Sequence, residues 1–262
     1  LTAIASATMP QTGKMHAGAQ AAEDTPQARY RLLHLNLRFD NHTPKQVLSL
    51  IGRVEPDLIT LAEVSAAWRG ELALLENTYP YRLVCSEPTH IGGVAILSRR
   101  PFLHPSTARC FDRGALAVAT VNINGSTVDV AALHLGWPWP FGQSWQIGRV
   151  APVLQDLGPT TILAGDFNAA PWSESTRRIA AAGDLTVLGG IGPTWLIRPL
   201  PNLLRRAAGL PIDNLLFKGG IVPLETTRLA DVGSDHLPVL LEFGLRRKKE
   251  PDTTLQARVL DR

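Results

Sequence analysis

The sequence predicts a mixed, layered α/β domain, and three observations carry that reading. Short, nearly continuous apolar runs at Leu58–Ala62, Val94–Leu97 and Thr160–Ala164 read as buried strands. Segments with helical apolar spacing alternate with them. Asn124-Gly125, between two apolar-rich segments, marks a tight antiparallel hairpin, because both turn positions need positive φ. That hairpin excludes a purely parallel sheet. With 262 residues, 45% of them apolar, the chain is long enough for one large domain with a well-buried core and short for two.

The elements follow in order. Arg31–Leu37 has apolar side chains at Leu33, Leu35 and Leu37, which suits a strand. Thr43-Pro44 reads as an N-cap followed by proline at the first helical position. Val47, Leu48, Ile51 and Val54 give that helix a core face, and it stops before Pro56. Leu58–Ala62 ends at Glu63, and Val94–Leu97 lies between Gly92-Gly93 and Pro101. The hairpin runs out along Ala115–Ile123 and back along Ser126–Leu135, with His134 at its far end. Ile147, Val150, Ala151, Leu154 and Leu157 recur at helical spacing; Pro152 among them predicts a kink or a restart. Thr160–Ala164 leads to Gly165-Asp166, and Pro211–Phe217 and Leu237–Phe243 complete the strands. The domain is expected over residues 29–244, after a flexible leader (1–28) and before a basic, disordered tail (245–262).

Several of these strands end in a polar residue that a structural role does not require. They are Glu63, His134, Asp166 with Asn168, Asp213 amid Ile212 and Leu215–Phe217, and Asp235-His236 before the last strand; Asn36 interrupts the first. A buried lone carboxylate is costly, so it persists where partners or a metal compensate it. Singly, each has an ordinary explanation as a turn former, a cap or a structurally satisfied histidine. Together they point to chemistry.

In these residues the chain resembles the endonuclease/exonuclease/phosphatase superfamily, the deoxyribonuclease-like metal-dependent phosphoesterases. The matching segments, in order, are His34-Leu35-Asn36-Leu37, Pro56–Val64, Gly93–Arg99, Ala132–Leu135, Ala164-Gly165-Asp166-Phe167-Asn168, Pro211–Asn214 and Gly233–Pro238. The resemblance implies a four-layer sandwich of two facing mixed β-sheets flanked by helices, with the site at one edge. It implies Mg2+ or Mn2+ at Glu63, with Asn36 close by and Asp235 contributing through water. It implies that Asp166 orients or deprotonates the attacking water, that Asn168 and His134 hold phosphate oxygens, and that His236, oriented by Asp213, contacts the phosphate. The general base is either Asp166 or the His236 pair. Oxygen ligands without a cysteine cluster suit such a hard cation. Two positions depart from the family pattern: Ala62 stands where relatives commonly have Gln, and Asn214 where His or Tyr is common, so one wall of the site is expected to differ.

The substrate is less legible. Trp137, Trp139 and the nearby Trp145 follow His134 in a proline-stiffened loop, and Trp195 follows Pro193-Thr194. They are read as substrate-contacting at Trp137, Trp139 and Trp195, with a hydrophobic plug, base stacking and a bilayer interface as the open roles of the loop. Leu200–Leu210 is either a surface helix or an interfacial segment. A net charge of +3 is too small to identify a nucleic-acid binder, and Arg246–Lys249 reads as a solvated tail before it reads as a phosphate or lipid anchor. The leading reading is a phospholipid or other membrane-proximal phosphoester, with a nuclease next, then a soluble sugar- or inositol-phosphate phosphatase. The alternative of another class is an inactive binding module of the same fold. The chain is expected to act as a monomer. Cys85 and Cys110 are either buried thiols or one bridge. Ala5-Ser6-Ala7 resembles the end of an export signal, which favours an exported or membrane-associated bacterial protein over a cytoplasmic one.

Overall fold

Side chains alternate across a strand, so a strand apolar at consecutive positions must be covered on both faces. In the computed structural model, which describes residues 28–140, 142–197, 204–205 and 208–246, this condition builds the architecture. Strand β1 (Tyr30–Asn36) puts Leu32 into one apolar cluster and Leu33 and Leu35 into another. Strand β2 (Leu58–Val64), parallel to β1, divides in the same way, with Leu58 and Ala62 on one side and Ile59 and Leu61 on the other.

The remaining strands are β3 (Tyr81–Val84), β4 (Gly93–Ser98), β5 (Arg109–Phe111), β6 (Leu116–Ile123), β7 (Ser126–His134) and β8 (Thr161–Asp166). After them come β9 (Thr186–Val187), β10 (Asp213–Lys218), β11 (Ile221–Arg228) and β12 (Val239–Leu245). They form two six-stranded sheets, in the orders β11-β12-β1-β2-β4-β3 and β5-β6-β7-β8-β10-β9. Each is mixed, with parallel pairs at β1–β2 and β7–β8. Helices α1 (Pro44–Val54) and α2 (Ala66–Ala73) cover the first sheet through Val47, Ile51, Trp68 and Leu72. Helices α3 (Gln143–Gln155) and α4 (Glu174–Gly183) cover the second through Ile147, Val150, Leu154 and Ile179. A third cluster, including Leu32, Val130, Ile162, Leu215 and Phe243, fills the space between the sheets. The fold is thus the four-layer α/β sandwich. Truncating a side chain such as Leu33 or Leu163 to Ala would cost about 2–5 kcal/mol.

Some local expectations change. Thr43 occupies the N-cap position of α1 but makes no side-chain cap bond; its hydroxyl lies 2.9 Å from both Asn41 Oδ1 and the Val232 carbonyl. The buried face of α1 uses Leu50 rather than Leu48. α3 begins earlier than its apolar spacing and runs as one helix through Pro152. The carbonyl deprived of a partner belongs to Gly148, which is exposed, so water can satisfy it. Strands β3, β5, β9 and β11 and helices α2 and α4 had no clear sequence signal. β11 contains Pro223 beside a register shift and is mostly exposed, as befits an edge strand.

Cys85 and Cys110 form a disulfide, with Cα atoms 5.6 Å apart. It joins the end of β3 to β5, the edge strands of opposite sheets. Closing a loop with a sequence separation of 25 contributes on the order of 3 kcal/mol. The expected leader and tail lie outside the described residues, save residue 28 at one end and residues 245–246 at the other, where β12 runs to Leu245. Most of Leu200–Leu210 also lies outside them. No helix among the described residues is long and apolar enough to cross a membrane.

Candidate active site

The space between the sheets is apolar at one end and polar at the other. Leu32 faces the second sheet, so His34 and Asn36, two and four residues further along β1, face it too. On β2 the same alternation turns Thr60 inward, in register with His34. Val130 and Ala132 are followed on that face by His134, Ile162 and Ala164 by Asp166; on β10, Asp213 precedes Leu215. His134, Asp166 and Asp213 pair in register on the adjacent strands β7, β8 and β10. Gly165 is required at this level, since a Cβ there would collide with the Leu133 carbonyl. The polar row opens into a cavity of about 660 Å³.

Asp166 lies at its centre. Its Oδ2 accepts from Asn36 Nδ2 at 2.9 Å and stands 3.6 Å from His236 Nε2 and 3.8 Å from His134 Nε2. Its Oδ1 accepts from the Asn168 N–H at 2.9 Å, and Asn168 Nδ2 donates to the Leu135 carbonyl at 2.7 Å. Asn168 sits at φ 47°, a left-handed conformation that Asn tolerates better than most residues. Asn36 also donates to Glu63 Oε1 at 3.0 Å, and the Phe39 N–H donates to Glu63 Oε2 at 2.9 Å. Asn36 thus meets both carboxylates as a donor, while its Oδ1 accepts from the Arg38 N–H. Glu63, at φ 58°, falls within the register shift near the end of β2, and its carboxylate faces the cavity.

His236 is buried against two carboxylates. Its Nδ1 donates to Asp213 Oδ2 at 2.7 Å, and its backbone N–H donates to Ser234 Oγ, whose hydroxyl donates to the Asn36 carbonyl. Burial alone would depress the His236 pKa, but Asp213 and then Asp166 outweigh it and push it up to about 10. Burial would raise Asp213, yet His236 and His34 hold its carboxyl well below the usual range. For Asp166 burial wins, and its carboxyl is pushed up despite His236 and His134. Glu87, on the cavity wall, is likewise raised by burial. Asp166, Asp213 and His236 present ligand atoms within 4.8 Å of one another, a spacing a metal ion could span.

Asp235 lines the cavity beside His236. Trp137 and Trp195 line it too, with ring centroids 5.9 Å apart, edge to face. Trp139 is 85% exposed and outside the lining, whereas Trp145, 80% exposed, is part of it. A buried plug is thereby excluded for these two. Asn214 faces away from the cavity, where its Nδ2 donates to the Ala169 and Ile212 carbonyls, so the wall expected to differ there is not built from it. Ala62 packs between the sheets.

Sequence reasoning passed over the supports. Gln146 Oε1 accepts from the Gly136 N–H at 2.8 Å, while Gln143 Nε2 donates to the carbonyls of Gly136 and Phe167. The root of the tryptophan loop is thereby tied to the Asp166–Asn168 segment. Only the i, i+3 spacing of the two glutamines hinted at this. His34 was visible in its motif but had no assigned role, although its position two residues before Asn36 already put both on one face.

A two-sheet sandwich whose strand ends gather carboxylate, amide and imidazole groups in one cleft defines a class of phosphoester-cleaving hydrolases. The chain belongs to the Endonuclease/Exonuclease/phosphatase family, whose model matches residues 33–236. Members of that family are hydrolases acting on phosphoester bonds. No curated protein matches the chain. Among solved structures it is similar to the endonuclease/exonuclease/phosphatase from Bacteroides vulgatus, at 14% identity and TM-score 0.68, covering 84% of this chain and 100% of that one. It is also similar to D. rerio TDP2 complexed with single-strand DNA product, at 15% identity and TM-score 0.67, covering 83% and 99%. Sphingomyelinase C from Streptomyces griseocarneus follows at 15% identity and TM-score 0.59, covering 82% and 99%. At these identities the likenesses establish the shared fold.

Proposed function

We propose that this protein is a divalent-metal-dependent phosphoesterase, and that its substrate is a phospholipid or another phosphoester presented at a membrane surface. The observation that carries the chemistry is the convergence of Asn36, Glu63, His134, Asp166 and His236 from separate strands and loops on one cavity.

The residues fit a hard cation. Glu63, Asp166, Asp235 and Glu87 all face a space that would have to admit an anionic phosphate. That arrangement repels the substrate unless a cation intervenes. Mg2+ or Mn2+ would be held by Glu63 and Asp235, with Asn36 steadying Glu63, and would supply charge neutralisation at the phosphoryl and leaving oxygens. The Asp166–Asp213–His236 group is the poorer candidate, because His236 Nδ1 and both Asp213 oxygens are already engaged, with each other and with His34, and the two carboxylates favour the protonated His236 ring.

The same protonation assigns the acid–base roles. An imidazolium cannot accept a proton from water, so Asp166, pushed up by burial, takes it. The water oxygen forms the new bond to phosphorus, its proton passes to Asp166, and the ester P–O bond breaks with the electron pair on the leaving oxygen. His236 Nε2, His134 and Asn168 bind the non-bridging oxygens as charge grows on them.

The choice of a membrane-proximal substrate rests on the rim. Trp145, on the cavity lining, is exposed, as is Trp139 in the loop that follows the lining residue Trp137; Leu204 and Leu210 are exposed too, Leu210 being bridged to Trp195. Indole rings at an apolar rim suit a headgroup interface. A nuclease is the second reading, favoured by Arg149, which lines the cavity together with Trp137, Trp145 and Trp195 and so sets a cation among aromatic rings. A panel of phospholipid vesicles, plasmid DNA and sugar phosphates, assayed with Mg2+, Mn2+ and EDTA against a His236→Ala control, tests both. Metal-dependent vesicle hydrolysis is expected. Plasmid cleavage without lipid cleavage would put the nuclease first, and a partner bound equally well by Asp166→Ala without turnover on any substrate would favour a binding module.

A further inference from the structure

Asp213 bonds two imidazoles, and only one of them reaches the cavity. Its Oδ2 accepts from His236 Nδ1 at 2.7 Å, and its Oδ1 accepts from His34 Nε2 at 3.2 Å. His34 is 1% exposed, and its Nδ1 lies 3.0 Å from the Thr60 hydroxyl. A line of hydrogen bonds therefore runs from β2 (Thr60) through β1 (His34) and across the gap between the sheets to β10 (Asp213), then to His236. The two links to Asp213 have a defined direction. An ionised carboxylate only accepts, so His34 carries its hydrogen on Nε2. At the other side of the ring, Nδ1 faces the Thr60 hydroxyl, which can serve either as donor or as acceptor to it.

We propose that His34 is a positioning residue for the hydrolytic site, holding the Asp213 carboxylate in the one rotation that aims His236 Nε2 at the bound phosphoryl group. This rests on the hydrolytic reading above. Without His34, Oδ1 becomes a buried anionic oxygen without this donor, and the carboxylate can turn to seek another. Turning swings the ring bonded to Oδ2, so the cost appears at His236 and not where the substitution was made. Thr60 acts one step further out by holding the His34 ring in its orientation through Nδ1.

The test uses the full chain with His34→Leu, His34→Gln and Thr60→Val, all checked for a cooperative thermal transition. One readout is the downfield proton resonance of the His236 Nδ1–H, assigned by its loss in His236→Gln. The other is Mg2+-dependent hydrolysis of bis(p-nitrophenyl) phosphate. His34→Leu should lower kcat about 10–100-fold, leave KM within about twofold and displace or broaden the resonance. Thr60→Val should move both readouts the same way by less, and His34→Gln should recover most of the activity because its amide N–H can reach Asp213 Oδ1. A folded His34→Leu with wild-type kcat and an unmoved resonance overturns the proposal. If that variant does not fold, Thr60→Val decides, and an unchanged resonance and kcat there overturns it equally. Absence of diester hydrolysis by the wild type would count against the hydrolytic reading, while the resonance would still report whether His34 holds Asp213.

Discussion

Replacing Asp213 with Asn exchanges one buried carboxylate oxygen for an amide group while keeping shape, so it isolates the charge that His236 and His34 share. The magnitude follows from His236, whose pKa is pushed up to about 10 in the fold against 6.5 for an unperturbed histidine. Each tenfold of proton affinity is about 1.4 kcal/mol, so the pair stabilises the native state by roughly 4 kcal/mol at pH 7. Removing one partner of a buried ion pair costs about 3–5 kcal/mol by an independent route, and the two figures describe the same pair counted once. Because the folded-state value lies above the unfolded one, this stability is fully present below pH 6.5 and is lost as pH rises through about 10. Asp213 is held low, so its contribution is present above the ordinary carboxylate range and is lost as pH falls through and below it. Calorimetry of wild type and variant in EDTA, at pH 6, 8 and 10.5, should show a gap in Tm of roughly 10 °C at pH 6. The gap should narrow at pH 8 and nearly close at pH 10.5. With Mg2+ present, kcat should fall by about 10²–10⁴ at neutral pH. A gap of the same size at all three pH values would refute the reasoning, because the stabilisation would then not come from a protonated His236.

Three further outcomes are expected. Glu63→Gln should raise the Mg2+ concentration needed for half-maximal activity by about 10–100-fold, and an unchanged metal requirement would remove Glu63 from the ion's ligands. Trp139→Ala should weaken association with phospholipid vesicles about tenfold and leave hydrolysis of a soluble diester within about twofold, since Trp139 is outside the cavity lining; equal losses in both would place the ring in the substrate site. Cys85→Ser with Cys110→Ser should lower stability by about 3 kcal/mol, read as the shift in denaturation midpoint between oxidised and reduced wild type and the double variant. Identical midpoints would mean that the bridge does not constrain the unfolded chain.

The sequence by itself determined the central strands, the hairpin and the chemical residue types. Runs such as Leu58–Ala62 and Thr160–Ala164 can be satisfied only by strands buried on both faces, and Asn124-Gly125 admits few turns. The seven quoted motifs already carried Asn36, Glu63, His134, Asp166, Asn168 and His236, but not Gln143, Gln146 or Glu87, which reach the site from other segments. Edge elements such as β11 and β5 were illegible because their stability comes from neighbouring strands and not from their own pattern. Tertiary structure alone decided which polar side chains share a partner. That His34 and His236, 202 residues apart in a chain numbered to 262, bond opposite oxygens of one carboxylate is set by how the two sheets stack. That Trp139 and Trp145 stand in solvent, and that Cys85 meets Cys110, are set the same way. Pairings between distant segments depend on the summed packing of the layers, and no local run of residues contains that sum.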